Sequence, residues 1–271
     1  MALSDKLNIL FPMAVNDASL TVTPTPVETL PESGLLNSRR DRFMRVLGTT
    51  ATIKLNANKL DVASGLALGY HNLIDGSTIR IRLYDGFNQT GSVTHDSTAL
   101  SAGTIKPFGE WVPGVDPANA EWQLGDIFPQ HYFYSFSQVA YQSIQIDIAA
   151  PNNTEIDIGR LMLGFVFEPK WNYEWGSKWE WIDEGDENTA SSCYRAFTFD
   201  LNDLENFEND RYEYEKIKTT KQGDLLLCLQ PSATGLERLK NTAICKRNTD
   251  ISRTRHRANA NKHTDKYKEI V

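Results

Sequence analysis

The sequence predicts a mainly β chain built around a jelly-roll sandwich, and three stretches predict it. In residues 62–86 (VASGLALGYHNLIDGSTIRIRLYDG), Leu66 and Leu68 alternate with small residues before a corner of His71, Asn72, Asp75 and Gly76. Ile79, Ile81 and Leu83 then alternate with Arg80, Arg82 and Tyr84, the period of two that buries one face of a strand. In residues 141–148, Ile144, Ile146 and Ile148 fall on one face, and in residues 155–167 Ile156, Ile158, Leu161 and Leu163 repeat the pattern around Gly159 and Gly164. Strands this far apart that share one pattern point to a sandwich rather than a helical or doubly wound fold.

Composition divides the chain into four parts. Residues 1–37 read as an extended N-terminal arm, because Pro24, Pro26 and Pro31 among Thr21, Thr23, Thr25 and Thr29 favour extended backbone over helix. Leu7, Ile9, Leu10 and Phe11 on that arm are apolar and need a surface to cover them, which a neighbouring subunit would supply. Residues 38–168 hold the sandwich, including a Gly/Pro-rich loop at 107–130 whose Trp111 and Trp122 read as packing residues.

Residues 169–245 form a smaller, β-rich region. In residues 170–181 (KWNYEWGSKWEW), Trp171, Tyr173, Trp175, Trp179 and Trp181 alternate around Gly176 and Ser177, which predicts a β-hairpin. Such an aromatic stripe serves cross-strand packing or a protein interface, and in a second reading stacks on sugar rings. Residues 183–215 are strongly acidic; within them Phe197 and Phe199 predict a strand, and residues 200–204 (DLNDL) a helix start with Asp200 as its cap. The run LLLCL at 225–229 predicts a buried strand with Cys228 as a small core hydrophobe. Residues 246–271 read as a basic C-terminal tail with Lys246, Arg247, Arg253, Arg255, Arg257, Lys262, Lys266 and Lys268.

The sandwich strands carry a resemblance. Residues 66–72, 77–85 and the GRLMLG run at 159–164 resemble the galactose-binding-like (discoidin-type) sandwich of tailed-bacteriophage virion proteins, in which an apolar strand ends in an asparagine-leucine corner. Residues 35–45 fit the way such chains enter the domain, and the resemblance covers residues 35–167. It implies a virion structural protein, tail or tail-associated, located in the virion after assembly in the host cytoplasm. Fold alone does not fix function.

Other classes lack their signatures. A hydrophobic content of 40% supports a core, yet no apolar run reaches the roughly 20 residues of a membrane span. Asp5 and Lys6 interrupt the N-terminal apolar patch, so no signal peptide is expected. Three cysteines are too few and too scattered for a disulfide framework or zinc module. The five histidines, His71, His95, His131, His256 and His263, show no metal spacing, and His71 reads as a turn residue. No nucleophile elbow, phosphate loop or dinucleotide fingerprint occurs, so no enzyme activity, cofactor or metal is expected. A net charge of −7 and a tail without aromatic interleaving argue against nucleic acid.

The expected function is therefore a non-enzymatic structural subunit whose partners are identical subunits and other virion proteins. Its acidic region and basic tail suit docking between copies. The candidate interface comprises Trp171, Tyr173, Trp175, Trp179, Trp181, Arg253, Arg255 and Arg257. The alternative is a carbohydrate-binding adhesion module with a host-surface glycan as partner.

Overall fold

A computed structural model of the chain describes residues 6–12, 15–37, 42–102, 130–172, 178–183, 193–219, 223–233, 235–249, 254–257 and 260–270. Its strands are β1 (Asn8–Pro12), β2 (Val15–Thr23), β3 (Met44–Leu47), β4 (Thr50–Gly69), β5 (Thr78–Tyr84), β6 (Val93–Ser101), β7 (His131–Ala149), β8 (Glu155–Ile158) and β9 (Arg160–Phe167). They continue with β10 (Lys178–Asp183), β11 (Cys193–Glu205), β12 (Asp224–Cys228), β13 (Thr242–Arg247), β14 (Thr254–Arg257) and β15 (Ala260–Glu269). Two α-helices accompany them among the described residues, α1 (Asn206–Thr219) and α2 (Gly235–Lys240). The chain is mainly β, as its alternation predicts, and it divides into two units.

The sandwich unit comprises residues 13–165 and 234–240. Its spine is the antiparallel ribbon of β4 and β7, which pair from Thr50↔Ala149 to Gly69↔His131 across two register shifts. The other edge of β4 takes β2 near Thr52 and β9 near Gly65, while β7 takes β5, which takes β6. A separate two-stranded sheet pairs β3 with β8. Met44, Val46, Ile156 and Ile158 from that small sheet are buried in one cluster with Ile53, Leu55, Leu66, Leu68, Ile79, Ile81, Leu83, Ile144, Ile146 and Ile148. The alternating residues of the sequence are thus the facing layers of one core, with the arginines of β5 directed outward: Arg82 pairs with Asp147 and Arg80 with Asp96.

The corner between β4 and β5 is held by side chains acting as backbone. Asn72 donates from Nδ2 to the Glu155 carbonyl at 3.1 Å and accepts at Oδ1 from the Asp157 N–H at 2.9 Å, joining the corner to β8. Gly76 turns with φ 85°, a region that side chains with a Cβ disfavour. Gly159 separates β8 from β9 because a Cβ there would lie 2.8 Å from Cβ of Tyr70. His71 is buried, and its Nδ1 accepts from the Leu73 N–H at 3.3 Å. Burial, then the charge of Arg238, lowers its pKa to about 4. It is a turn residue held neutral.

The C-terminal unit comprises residues 1–12, 166–233 and 241–271. Its strands run β10–β11–β15–β13–β12–β1 with every neighbouring pair antiparallel, and β14 also pairs with β15. β12 (DLLLC) is buried at every residue, the continuous apolar run of a strand covered on both faces. Cys228 and Cys245 are free and buried.

Three expectations change. Leu7, Ile9, Leu10 and Phe11, assigned to an arm awaiting a neighbour, are fully buried within this unit, because β1 pairs with β12 through Ile9↔Leu227 and Leu10↔Leu226. The remainder of residues 1–37 supplies β2 to the sandwich unit. Among its described residues the basic tail is structured: β15 lies between β11 and β13. Its lysines Lys262, Lys266 and Lys268 alternate with buried His263, Asp265, Tyr267 and Glu269. Residues 200–204 continue β11 rather than start a helix, since Asp200 reaches across the strand to Lys262 at 3.3 Å. β10 takes β11 as partner, with Trp179 opposite Phe197 and Trp181 opposite Arg195, while residues 173–177, at the centre of the expected hairpin, lie outside the described residues.

Two outcomes are expected. Phe11→Ala should cost about 3–5 kcal/mol in urea denaturation of the C-terminal unit, the range for emptying a buried aromatic site; a free arm would give no change. His71→Asn keeps an acceptor for the Leu73 N–H and removes a titration. The folded chain holds this imidazole neutral to about pH 4, whereas the unfolded chain protonates it near 6.5. Its stabilising contribution is therefore complete above pH 6.5 and is lost as pH falls toward 4. Relative to the variant, the parent should lose up to roughly 3 kcal/mol across that window, at about 1.4 kcal/mol per unit.

Candidate functional site

Helix α1 begins where Glu205 and Glu208 make a capping contact: the Glu205 N–H donates to Oε2 of Glu208 at 3.2 Å, three residues on. Asn261 of β15 reaches the same end, donating to the side-chain oxygen of Asn206 at 3.2 Å. At the other end Arg247 Nη1 donates to the Lys216 carbonyl at 3.2 Å, which satisfies an orphan acceptor of the last turn.

The buried side of α1 is polar. Asn209, Tyr212, Glu215 and Lys216 are its buried residues, and they meet the inward-facing side chains of β15. Lys216 Nζ donates to Asp265 Oδ1 at 2.6 Å, and the Tyr212 hydroxyl donates to Oδ2 of the same carboxylate at 2.7 Å. The hydroxyls of Tyr212 and Tyr267 lie 3.0 Å apart, and Asn209 Oδ1 lies 2.6 Å from His263 Nε2. Glu215 is bridged by Arg211 at 3.1 Å. Rings complete the packing: Tyr212 stacks on Phe167 at 4.5 Å and meets Phe11 edge-on at 6.1 Å. A second buried pair supports the sheet beneath, where Arg195 grips Glu269 through Nε at 2.9 Å and Nη2 at 2.5 Å, and also donates to the Thr242 carbonyl.

Burial governs the titration of this network. It lowers the pKa of Lys216 against the opposing pull of Asp265, and it raises Tyr212 and Tyr267 well above the ordinary phenol, with the charge of Asp265 adding to both. The phenols are therefore fixed donors. Asp265, Lys216, Tyr212 and Tyr267 are sealed from solvent, so no substrate meets them; their chemistry is to hold the helix in one orientation.

The exposed side of α1 carries three large apolar side chains beside Asp210 and Lys218. Phe207 is 84% exposed, Tyr214 59% and Ile217 63%. At about 100° per residue, these three fall within roughly 80° of one another around the helix. Beside the first turn, Lys170 donates its backbone N–H to Glu208 at 2.9 Å and forms an ion pair with Glu205. That contact sets Trp171, 61% exposed, near the Phe207 end, and the neighbouring Asn172 accepts from the Leu7 N–H at 3.0 Å.

Of the residues singled out from sequence, Trp171 and Trp181 are exposed, the latter at 41%. Trp179 lies on β10, and Tyr173 and Trp175 fall outside the described residues. Arg255 and Arg257 lie on β14, in register with Asn261 and Ala260, and Arg253 falls outside the described residues. Phe207, Tyr214 and Ile217 escaped sequence reading, because their spacing lies inside a stretch dominated by acids. The helical repeat of Phe207 and Tyr214, seven apart, was the available signal.

No protein-family model matches the chain, and no curated protein does. Among solved structures, the chain is similar to the CBM32 of AlyQ in complex with 4,5-unsaturated mannuronic acid, at 12% identity and a TM-score of 0.37 over 56% of this chain and 98% of that one. It is also similar to the family 32 CBM of NanJ from C. perfringens in complex with galactose, at 11% identity and 0.36 over 58% and 98%. A Ruminococcus gnavus GH29 fucosidase in complex with fucose aligns at 7% identity and 0.37, over 54% of this chain and only 25% of the fucosidase. The fold class rests on the strands and registers themselves. Similarity at this level says nothing of what the chain binds.

Asp265→Ala should destabilise the C-terminal unit by about 3–5 kcal/mol, because it strands the buried ammonium of Lys216 without its partner. Urea denaturation followed by tyrosine fluorescence checks this, and an effect below about 1 kcal/mol would deny the network its role in holding α1.

Proposed function

We propose that this chain is a non-enzymatic structural subunit of a larger assembly, one that docks protein partners through the outer face of α1. The observation that carries the reading is the inverted helix: Asn209, Glu215 and Lys216 are buried and paired, while the large side chains Phe207, Tyr214 and Ile217 face solvent. Exposed apolar patches of this kind mark interaction sites on soluble proteins, and aromatic residues dominate the energetics of such interfaces. The assembly we assign is a tailed-bacteriophage virion, tail or tail-associated. Support for it comes from the strand and corner motifs at residues 66–72, 77–85 and 159–164.

A second reading has an observation of its own. Trp171 and Trp181 are exposed indoles, 61% and 41%, the kind of surface aromatic that stacks on sugar rings. Several of the similar solved structures are carbohydrate-binding modules by name. With scores below 0.4, the indoles are its support. We rank it second because Phe207, Tyr214 and Ile217 lie on a rigid helix rather than a loop rim.

The two readings separate on two variants. Tyr214→Glu should leave the melting temperature nearly unchanged, since an exposed site tolerates substitution within about 0.5 kcal/mol. It should abolish incorporation into particles. Trp171→Ala should leave host-cell adsorption intact. Normal incorporation of Tyr214→Glu, with adsorption lost in Trp171→Ala, would overturn the assignment in favour of the glycan module.

A further inference from the structure

We propose that α1 pairs with α1 of a second copy of this chain, antiparallel about a two-fold axis passing at Tyr214. This rests on the assembly reading and names its first partner. The helix is self-complementary in charge about that residue. Asp210 and Lys218, both exposed on the outer side, stand four residues before and four after Tyr214, about 6 Å along the axis in each direction. Antiparallel pairing centred on Tyr214 sets Asp210 opposite the partner's Lys218 and Lys218 opposite the partner's Asp210. Parallel pairing would set like charges face to face, which costs rather than stabilises.

Other terms favour the same geometry. The acids Glu205, Glu208 and Asp210 gather at the helix start and Lys218 stands at its end, so head-to-tail apposition of two copies also opposes their macrodipoles favourably. A two-fold axis makes the contact isologous and closed, with Ile217 of each copy beside Tyr214 of the other. The inner anchors at Asp265 keep the face rigid, so little ordering cost falls on association. Tyr214 and Ile217 lie within the overlap of the two helices and together offer on the order of 250 Å² per copy, taking about 150–250 Å² for full burial of an aromatic side chain, while Phe207, about 10 Å along the axis from Tyr214, falls beyond the end of the partner helix at Thr219. That is about a third of the roughly 800 Å² per partner of a standard interface. The pairing is accordingly weak, micromolar and sensitive to salt.

Sedimentation equilibrium of the full chain, from low micromolar to submillimolar concentration, tests this. The parent should approach twice the monomer mass, and Tyr214→Glu should raise the dissociation constant by at least about tenfold. Asp210→Lys and Lys218→Asp should each weaken association, and the double variant should restore it, because only a second copy carrying both changes re-forms both pairs. A monomeric parent throughout, or a double variant no stronger than the singles, overturns the pairing. If the parent is monomeric but Tyr214→Glu still loses particle incorporation, self-pairing falls and the assembly reading stands. If the charge swap restores the dimer while Tyr214→Glu enters particles normally, the assembly reading falls and the pairing stands.

Discussion

The ion pair between Lys216 of α1 and Asp265 of β15 sets the construction of the C-terminal unit. Removing an ammonium and a carboxylate from water costs several kcal/mol for each ion, and their attraction offsets that only when the remaining hydrogen-bonding capacity is used. Asp265 meets the condition: one oxygen accepts from Lys216 and the other from Tyr212, whose hydroxyl also meets Tyr267. Lys216 adds the face of the Tyr212 ring at 4.7 Å. Because the pair demands the inner side of the helix, together with Asn209 and Glu215, the apolar residues of the same 14-residue element are left on the outside. The exposed stripe is a geometric consequence of the buried charges.

The sandwich unit follows the opposite arrangement. Its apolar residues alternate inward along β4, β5 and β7, and its charges form pairs on the outer face, as Arg80 with Asp96 and Arg82 with Asp147. Those outer pairs are partly exposed and contribute little to stability. What specifies the unit is the apolar core and the satisfied corner, where Asn72 replaces backbone partners for β8. The difference between the units matters for function: the face of charged pairs is well solvated, whereas the face of α1 is not.

This contrast also explains what could be read from sequence. Ile79, Ile81, Leu83, Ile144, Ile146 and Ile148 were legible because a half-buried strand writes its burial as period-two hydrophobicity. The corner was legible through Asn72, Asp75 and Gly76. In the C-terminal unit the same rule fails, since the inward residues of β15 are His263, Asp265, Tyr267 and Glu269, so burial is written in polar letters and the strand reads as a charged tail. Helix α1 fails for the same reason, with Lys216 inside and Phe207 outside. For Leu7 to Phe11 the apolar need was legible, but its cover is β12, more than 200 residues away in sequence, a distance that local pattern does not span. Of the candidate site, Trp171 and Trp181 were legible as aromatics, while the helix stripe depended on the polar network that hides it.

A sealed network and an exposed apolar stripe on one helix also bear on what the unit can do. Catalysis needs titratable groups in reach of a substrate, and the perturbed groups of the helix network, Tyr212, Tyr267 and Lys216, are enclosed with their hydrogen bonds directed at one another. Their effect reaches the surface only through the helix they fix. Leaving Phe207, Tyr214 and Ile217 in water forgoes about 1.5–3 kcal/mol of burial for each side chain, a sizeable share of a domain's net stability of roughly 5–15 kcal/mol. A partner that covers the stripe supplies that burial, and the rigid backing keeps the ordering cost of association low. The same buried charges that make the unit costly to fold alone therefore leave Phe207, Tyr214 and Ile217 outside on a rigid backing.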